Sequence, residues 1–177
     1  GAAPALISVI KALAVTPESE IVAIAPFFPE YKPFSEEAGL TFKVVPADVP
    51  SFQINFEALE KMINHNTQAI ILNSPNNPSG VVYTRETLKK LARLLENKIM
   101  EYGHTIYLIS DEPYREIVFG GVQVPWIPGI YKDTIVCYSF SKSLSMPGER
   151  LGYVLVPKTV TDADKVYPAV AGAGRSL

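Results

Sequence analysis

Residues 68–80 read QAIILNSPNNPSG, and this stretch decides the fold because an apolar run passes directly into a turn rich in Asn, Pro and Gly. The run predicts a buried strand, and the turn residues predict where that strand ends. Two further apolar runs have the same form, TIYLIS at residues 105–110 and TIVCY at residues 134–138. Each of these runs also predicts a strand.

Strands and helices alternate along the rest of the chain. Residues 20–25 and 40–45 also predict strands, and patterns typical of helices occur in four segments, at 5–13, 31–38, 55–63 and 85–102. This alternation predicts an α/β fold with three layers, α/β/α, and a mostly parallel sheet with right-handed crossovers. A chain of 177 residues that is 47% hydrophobic can bury one sizeable core, so residues 1–177 are expected to form a single domain.

Composition argues against several classes of protein. The formal net charge of −2 gives no indication of nucleic-acid binding. No apolar run approaches the roughly 18–20 residues of a membrane helix, so we expect no membrane partner. Cys137 is the only cysteine, which excludes a disulfide within the chain and favours a cytoplasmic location. His65 and His104 lack cysteines or paired carboxylates at ligand spacing, so no metal site is expected.

Polar residues follow three of the predicted strands. The turn Asn73–Gly80 follows the first, Asp111–Tyr114 the second, and Ser139–Lys142 the third. Ligands of open α/β sheets bind outside the carboxyl ends of the strands. The three clusters are therefore expected to converge on one crevice.

The segment Ser139-Phe140-Ser141-Lys142, followed eight positions later by Arg150, indicates the chemistry of that crevice. A lysine amine can condense with an aldehyde, while serine hydroxyls and a guanidinium suit a phosphate dianion. The group suits an aldehyde cofactor that carries a phosphate. Taken alone, the segment also fits a solvated surface loop, and the other two clusters also fit ordinary caps and turns.

Three motifs follow one another along the chain: Asn-Asn-Pro-Ser-Gly at 76–80, Asp-x-x-Tyr at 111–114, and Ser-x-Ser-Lys at 139–142 with Gly-Glu-Arg-Leu-Gly at 148–152. Together they resemble the large domain of the fold type I pyridoxal-phosphate enzymes, specifically class I/II aminotransferases of the aspartate aminotransferase superfamily. The resemblance extends from Gly1 to about Pro157. It implies the cofactor pyridoxal 5′-phosphate, and amino-group transfer between an amino acid and a 2-oxo acid.

The resemblance also implies roles for four residues near the reacting atoms. Lys142 matches the Schiff-base lysine, which is released by the substrate and then carries a proton. Asp111 matches the carboxylate that keeps the pyridine nitrogen protonated. Asn77 and Tyr114 match the groups at the phenolic oxygen, and Asn77 also contacts the substrate carboxylate. Lys142, Asp111 and Tyr114 are thus the expected catalytic residues.

Other positions match the residues that hold the cofactor. Ser139 and Arg150 match phosphate ligands. Ala2 and Ala3 lie in a small-residue loop that opens the first helix, and we expect their backbone N–H groups to contact the phosphate. Phe28 matches the aromatic ring that stacks on the pyridine face.

Two aromatic neighbours, Phe27 and Tyr31, are alternatives to Phe28 at the pyridine face. Of these three aromatic residues, two are expected to belong to the core.

The chain departs from the family at its ends. Family members are more than twice as long, with an N-terminal arm and a small C-terminal domain, so the chain is expected to be a truncated large domain that is inactive alone. Residues 160–177 would then begin the connection to the missing part, and the full-length protein would be a homodimer. Two alternatives are a pyridoxal-phosphate-dependent carbon–sulfur β-lyase and the cofactor-binding sensor domain of a transcription regulator.

Overall fold

The computed structural model describes residues 1–176 and has one six-stranded sheet at its centre. The strands are β1 Glu20–Ile24, β2 Thr41–Val45, β3 Thr67–Asn73, β4 Tyr107–Asp111, β5 Thr134–Ser139 and β6 Gly152–Leu155. The helices are α1 Ala2–Ala12, α2 Tyr31–Glu37, α3 Phe56–Met62, α4 Arg85–Tyr102, α5 Phe140–Ser143 and α6 Ala163–Gly174, and a 3₁₀ turn spans Ile127–Gly129. None of the helices within residues 1–176 is long and apolar enough to cross a membrane.

The strands lie in the order β2-β1-β3-β4-β5-β6, in which β1 to β5 are parallel and β6 runs antiparallel to β5. Every residue of β1, β4 and β5 is buried, as expected for strands that are covered on both faces. The predicted α/β fold with a mostly parallel sheet is confirmed.

Two hydrophobic clusters cover the two faces of the sheet. One face packs against α1 and α6 and includes Leu6, Val9, Ile10, Val166 and Val170. The other packs against α3 and α4 and includes Leu59, Leu88, Leu91 and Leu95. Alternate residues of β1 enter opposite clusters, because successive side chains of a strand point to opposite faces. This arrangement is the expected three-layer one.

The structure differs from the sequence-based expectation near both ends of the described chain. Helix α1 begins at Ala2, so Ala2 and Ala3 lie in its first turn rather than in a loop. Helix α6, which the sequence had not predicted, forms within the segment expected to begin a connection, and it buries Val166 and Val170 against the core. Strand β6 was not predicted, although Tyr153, Val154 and Leu155 follow one another in its sequence; it is an edge strand whose residues alternate between partly buried and exposed.

Gly152, the first residue of β6, is required by the close approach of β5. A Cβ atom at this position would lie 2.4 Å from the Tyr138 carbonyl oxygen and 3.1 Å from the backbone of Gly1. Neither backbone can yield without separating β6 from β5, so Gly152→Ala should lower the free energy of unfolding by about 2–3 kcal/mol. Urea denaturation measures this. Gly148→Ala is the matched control, since a Cβ there meets nothing within 4 Å; equal losses in both variants would contradict the steric explanation.

Candidate active site

A cavity of about 290 Å³ opens at the carboxyl ends of β3, β4 and β5, beside the first turn of α1. The structure places every site residue predicted from the sequence in its lining: Ala2, Ala3, Phe28, Asn77, Asp111, Tyr114, Ser139, Lys142 and Arg150. The register of the sheet explains the convergence, because Asn73 pairs with Asp111 and Asp111 pairs with Cys137 at one level. The three strands therefore end side by side.

Asp111 is the last residue of β4 and is only 4% exposed. Its Oδ2 accepts a hydrogen bond of 2.5 Å from the Tyr31 hydroxyl, whereas its Oδ1 has no partner within residues 1–176. Burial raises the pKa of the Asp111 carboxyl from 3.8 to about 7; the Tyr31 hydrogen bond opposes this rise, and the charge of Glu112 adds to it. A cationic donor at Oδ1 would hold this carboxyl in its ionised form.

Asn73 lines the cavity although the sequence gave it no role beyond the turn. Its Nδ2 donates to the Asp111 carbonyl at 2.9 Å, and its Oδ1 accepts from the backbone N–H of Asn77 at 2.6 Å. These two hydrogen bonds of Asn73 connect the end of β4 with the turn that contains Asn77. The position of Asn73 at the end of an apolar run was the sequence feature that could have indicated this role.

Asn77 and Tyr114 line the cavity together. Burial raises the pKa of the Tyr114 hydroxyl, and the nearby Asp111 carboxylate raises it further, while the Asn77 side chain acts in the opposite direction. Tyr114 is therefore protonated at neutral pH and available as a hydrogen-bond donor. The two side chains present an amide and a hydroxyl to the same cavity.

Ser139 orients the segment that carries Lys142. It is the N-cap of the short helix α5: its Oγ accepts from the Ser141 backbone N–H at 3.2 Å and donates to the Ser141 hydroxyl at 2.9 Å. The single turn of α5 then places Lys142 on the cavity, where its side chain is exposed. Ser141 also lines the cavity, and the sequence had not singled it out as a ligand.

The Arg150 guanidinium places a positive charge beside the start of α1. Arg150 has a left-handed backbone with φ of 52°, its Nη1 donates to the Pro147 carbonyl at 2.9 Å, and its own carbonyl accepts from the Gly1 nitrogen at 2.6 Å. Its guanidinium therefore lies beside the first turn of α1, which has no side-chain cap. Unpaired N–H groups, the helix dipole and a guanidinium together favour an anion such as a phosphate.

Phe28 is the one of the three neighbouring aromatics that lines the cavity. Its ring packs edge-on against Tyr31, with 5.6 Å between centroids and an interplanar angle of 74°. Tyr31 is buried at 1% exposure, and Phe27 packs against the same core cluster. The structure therefore favours Phe28 as the ring that faces a ligand.

The described residues also bear on the question of a metal. Within residues 1–176 there is no group of three or more His, Cys, Asp or Glu side chains placed to hold a metal ion.

Comparison with known families decides the membership of this chain. The profile of the family described as aminotransferase class I and II matches residues 1–167. The chain belongs to this family. Class I and II aminotransferases are enzymes that depend on pyridoxal phosphate, so the resemblance inferred from the three motifs is confirmed.

The proteins similar to this chain include aminotransferases from several organisms. A probable aspartate/prephenate aminotransferase of Thermus aquaticus is 34% identical over 170 residues, which are 92% of this chain and 41% of the relative. An arginine–pyruvate transaminase of Pseudomonas aeruginosa is 35% identical over 162 residues, which are 89% of this chain and 39% of the relative. A crystal structure of an amino transferase from Eubacterium rectale is 55% identical with a TM-score of 0.98, and the match covers all of this chain and 44% of that one. The chain thus spans about two fifths of the length of these relatives.

Proposed function

We propose that residues 1–177 are the cofactor-binding domain of a pyridoxal-phosphate-dependent aminotransferase. One observation carries the proposal: Asp111 lines the cavity, and its buried Oδ1 has no hydrogen-bond partner within residues 1–176. A buried, unpaired carboxylate oxygen is unfavourable, and a cationic N–H donor on a bound ligand satisfies it. The protonated pyridine nitrogen of pyridoxal phosphate is such a donor.

The rest of the cavity lining fits the other parts of this cofactor. The first turn of α1 supplies the N–H groups of Ala2 and Ala3 for the phosphate, with Ser139 and the Arg150 guanidinium beside them. Phe28 supplies an aromatic face for the pyridine ring. Lys142 supplies the amine for the aldehyde.

The bound cofactor supplies an aldehyde for covalent attachment and a ring that withdraws electrons from the substrate carbon. The Lys142 Nζ takes the proton from that carbon and returns it, as a general base and then a general acid. Asp111 keeps the ring nitrogen protonated. Tyr114 and Asn77 donate to the phenolic oxygen, and Asn77 also orients the substrate carboxylate.

Covalent trapping tests this proposal. The full-length protein is incubated with pyridoxal phosphate, reduced with borohydride and digested, and we expect the cofactor mass on the peptide that contains Lys142. Incubation with amino acids and 2-oxo acids should then show transfer of the amino group. Release of pyruvate and ammonia without consumption of a 2-oxo acid would instead indicate the β-lyase, and labelling of surface lysines at random would overturn the proposal.

We also propose that the full-length protein is a cytoplasmic homodimer with an amino acid and a 2-oxo acid as substrates. Lys142 and Arg150 line the cavity but are exposed, which leaves space beside them for residues from outside this chain. Light scattering on the purified full-length protein tests the dimer, and a monomeric mass with full activity would contradict it.

A further inference from the structure

We propose that Tyr31 is a positioning residue for Asp111: its hydroxyl holds one carboxylate oxygen, leaves the other for the pyridine nitrogen, and favours the ionised carboxylate. This inference rests on the proposed function for the identity of the ligand. Its geometric basis is the difference between the two carboxylate oxygens of Asp111. Oδ2 accepts a hydrogen bond from Tyr31, whereas Oδ1 is unpaired within residues 1–176. A carboxylate without this anchor could rotate and present either oxygen.

Tyr31 is itself held in place by its surroundings. It opens α2, where its backbone N–H donates to the Phe28 carbonyl at 3.1 Å and its carbonyl accepts from the Ser35 hydroxyl at 2.8 Å. Its ring packs against Phe27 and Phe28 and is 1% exposed. The hydroxyl therefore reaches Asp111 from a fixed direction.

The Tyr31 hydroxyl also stays protonated, so it can donate a hydrogen bond to Asp111. Burial and the neighbouring Asp111 carboxylate raise the pKa of Tyr31 well above its ordinary value, so the hydroxyl keeps its proton. The titratable or charged groups that face Asp111 or share its cavity come from several elements: Tyr31, Glu112, Tyr114, Cys137, Lys142 and Arg150. Among the neighbours that act on the Asp111 pKa, Tyr31 lowers it and Glu112 raises it.

The first experiment measures Asp111 directly and needs no cofactor. The full-length, cofactor-free protein is labelled with [γ-¹³C]aspartate, and the Asp111 resonance is identified by its loss in Asp111→Asn. We expect Tyr31→Phe to shift the Asp111 titration to higher pH, because the hydrogen bond that favours the carboxylate is gone. Incorporation of 3-fluorotyrosine at position 31, a stronger donor of nearly the same shape, should shift it to lower pH.

The second experiment measures pyridoxal-phosphate binding by absorbance. Tyr31→Phe should weaken binding about tenfold near neutral pH and move the acid limb of the binding profile to higher pH. Tyr131→Phe is the matched control, since Tyr131 is 2% exposed and donates to the buried Ile106 carbonyl away from the cavity. It should change neither the titration nor the binding.

The possible outcomes separate the two proposals. An Asp111 titration that is the same in wild type, Tyr31→Phe and the fluorotyrosine protein overturns the positioning role. Equal effects of Tyr31→Phe and Tyr131→Phe on binding also overturn it, because general destabilisation would then explain the loss. A shifted titration in a protein that binds no pyridoxal phosphate supports the role of Tyr31 and overturns the proposed function.

Discussion

Replacing Lys142 with alanine is expected to lower amino-group transfer by the full-length protein by more than about 10⁴-fold. On the proposed function, the variant loses both the amine that attaches the cofactor and the group that moves the proton at the substrate carbon. No other lysine lines the cavity within residues 1–176, so none can replace it. Steady-state kinetics with saturating amino acid and 2-oxo acid measure the loss.

Lys89→Ala is the control for this prediction. Lys89 is an exposed lysine on α4, a helix that packs on one face of the sheet and contributes no residue to the cavity. Its loss should leave the transfer rate within about twofold of wild type. A Lys142→Ala protein that retains a tenth of wild-type activity while binding pyridoxal phosphate would refute the catalytic role of Lys142.

Asp111→Asn is expected to have two opposite effects, the first of which is a fall of about 10³-fold in amino-group transfer. An amide still accepts the hydrogen bond from Tyr31, so the local packing survives. It cannot hold a proton on the pyridine nitrogen as a carboxylate does, and the ring then withdraws electrons less strongly. Transfer rates at saturating substrate measure this effect.

The second effect is a gain in stability of the cofactor-free protein. The unfolded chain ionises Asp111 near pH 3.8, whereas the folded protein releases this proton near pH 7. The free energy of unfolding of the wild-type protein therefore falls as the pH rises from about 3.8 to about 7. Above pH 7 it falls no further on account of Asp111. Asp111→Asn removes this loss, so at pH 8 the variant should be more stable by about 2–4 kcal/mol, with the difference fading towards pH 4.

Denaturant titrations of the cofactor-free protein across this pH range provide the measurement. Asp133→Asn is the matched control: Asp133 is 2% exposed, lies outside the cavity, and already accepts a hydrogen bond from the Thr161 backbone N–H at 2.6 Å. It should give no gain at pH 8. A destabilised Asp111→Asn protein at that pH would show that the carboxylate is not a buried, unfavourable charge.

The positions of the interior strands along the chain and the convergence of polar residues could be predicted from the sequence because both depend on local patterns. Continuous apolar runs marked the interior strands, and the polar residue after each run marked the edge where ligands bind. Helix α4 was predicted from its helical spacing with its observed bounds, Arg85–Tyr102; in the structure Thr84 caps its first turn and Gly103 ends it in a left-handed conformation. These features need no knowledge of distant contacts.

What the sequence could not give depends on contacts between distant segments. Tyr31 and Asp111 are 80 positions apart, and only the folded sheet brings the hydroxyl to the carboxylate. The hydrogen bond from Asn73 to the Asp111 carbonyl similarly requires β3 and β4 in register. Helix α6 was missed because Pro168, Gly172 and Gly174 lie inside it, and these residues are typical of helix ends and turns.

Helix α1 contributes both to the core and to the cavity. Its buried residues Leu6, Val9 and Ile10 help to form the core on one face of the sheet, while its first turn lines the cavity. A phosphate bound at that turn would hold the helix in place, so each tenfold excess of free cofactor over its dissociation constant would add about 1.4 kcal/mol to the stability of the whole domain. A shortage of the cofactor would then reduce the amount of folded protein as well as its activity.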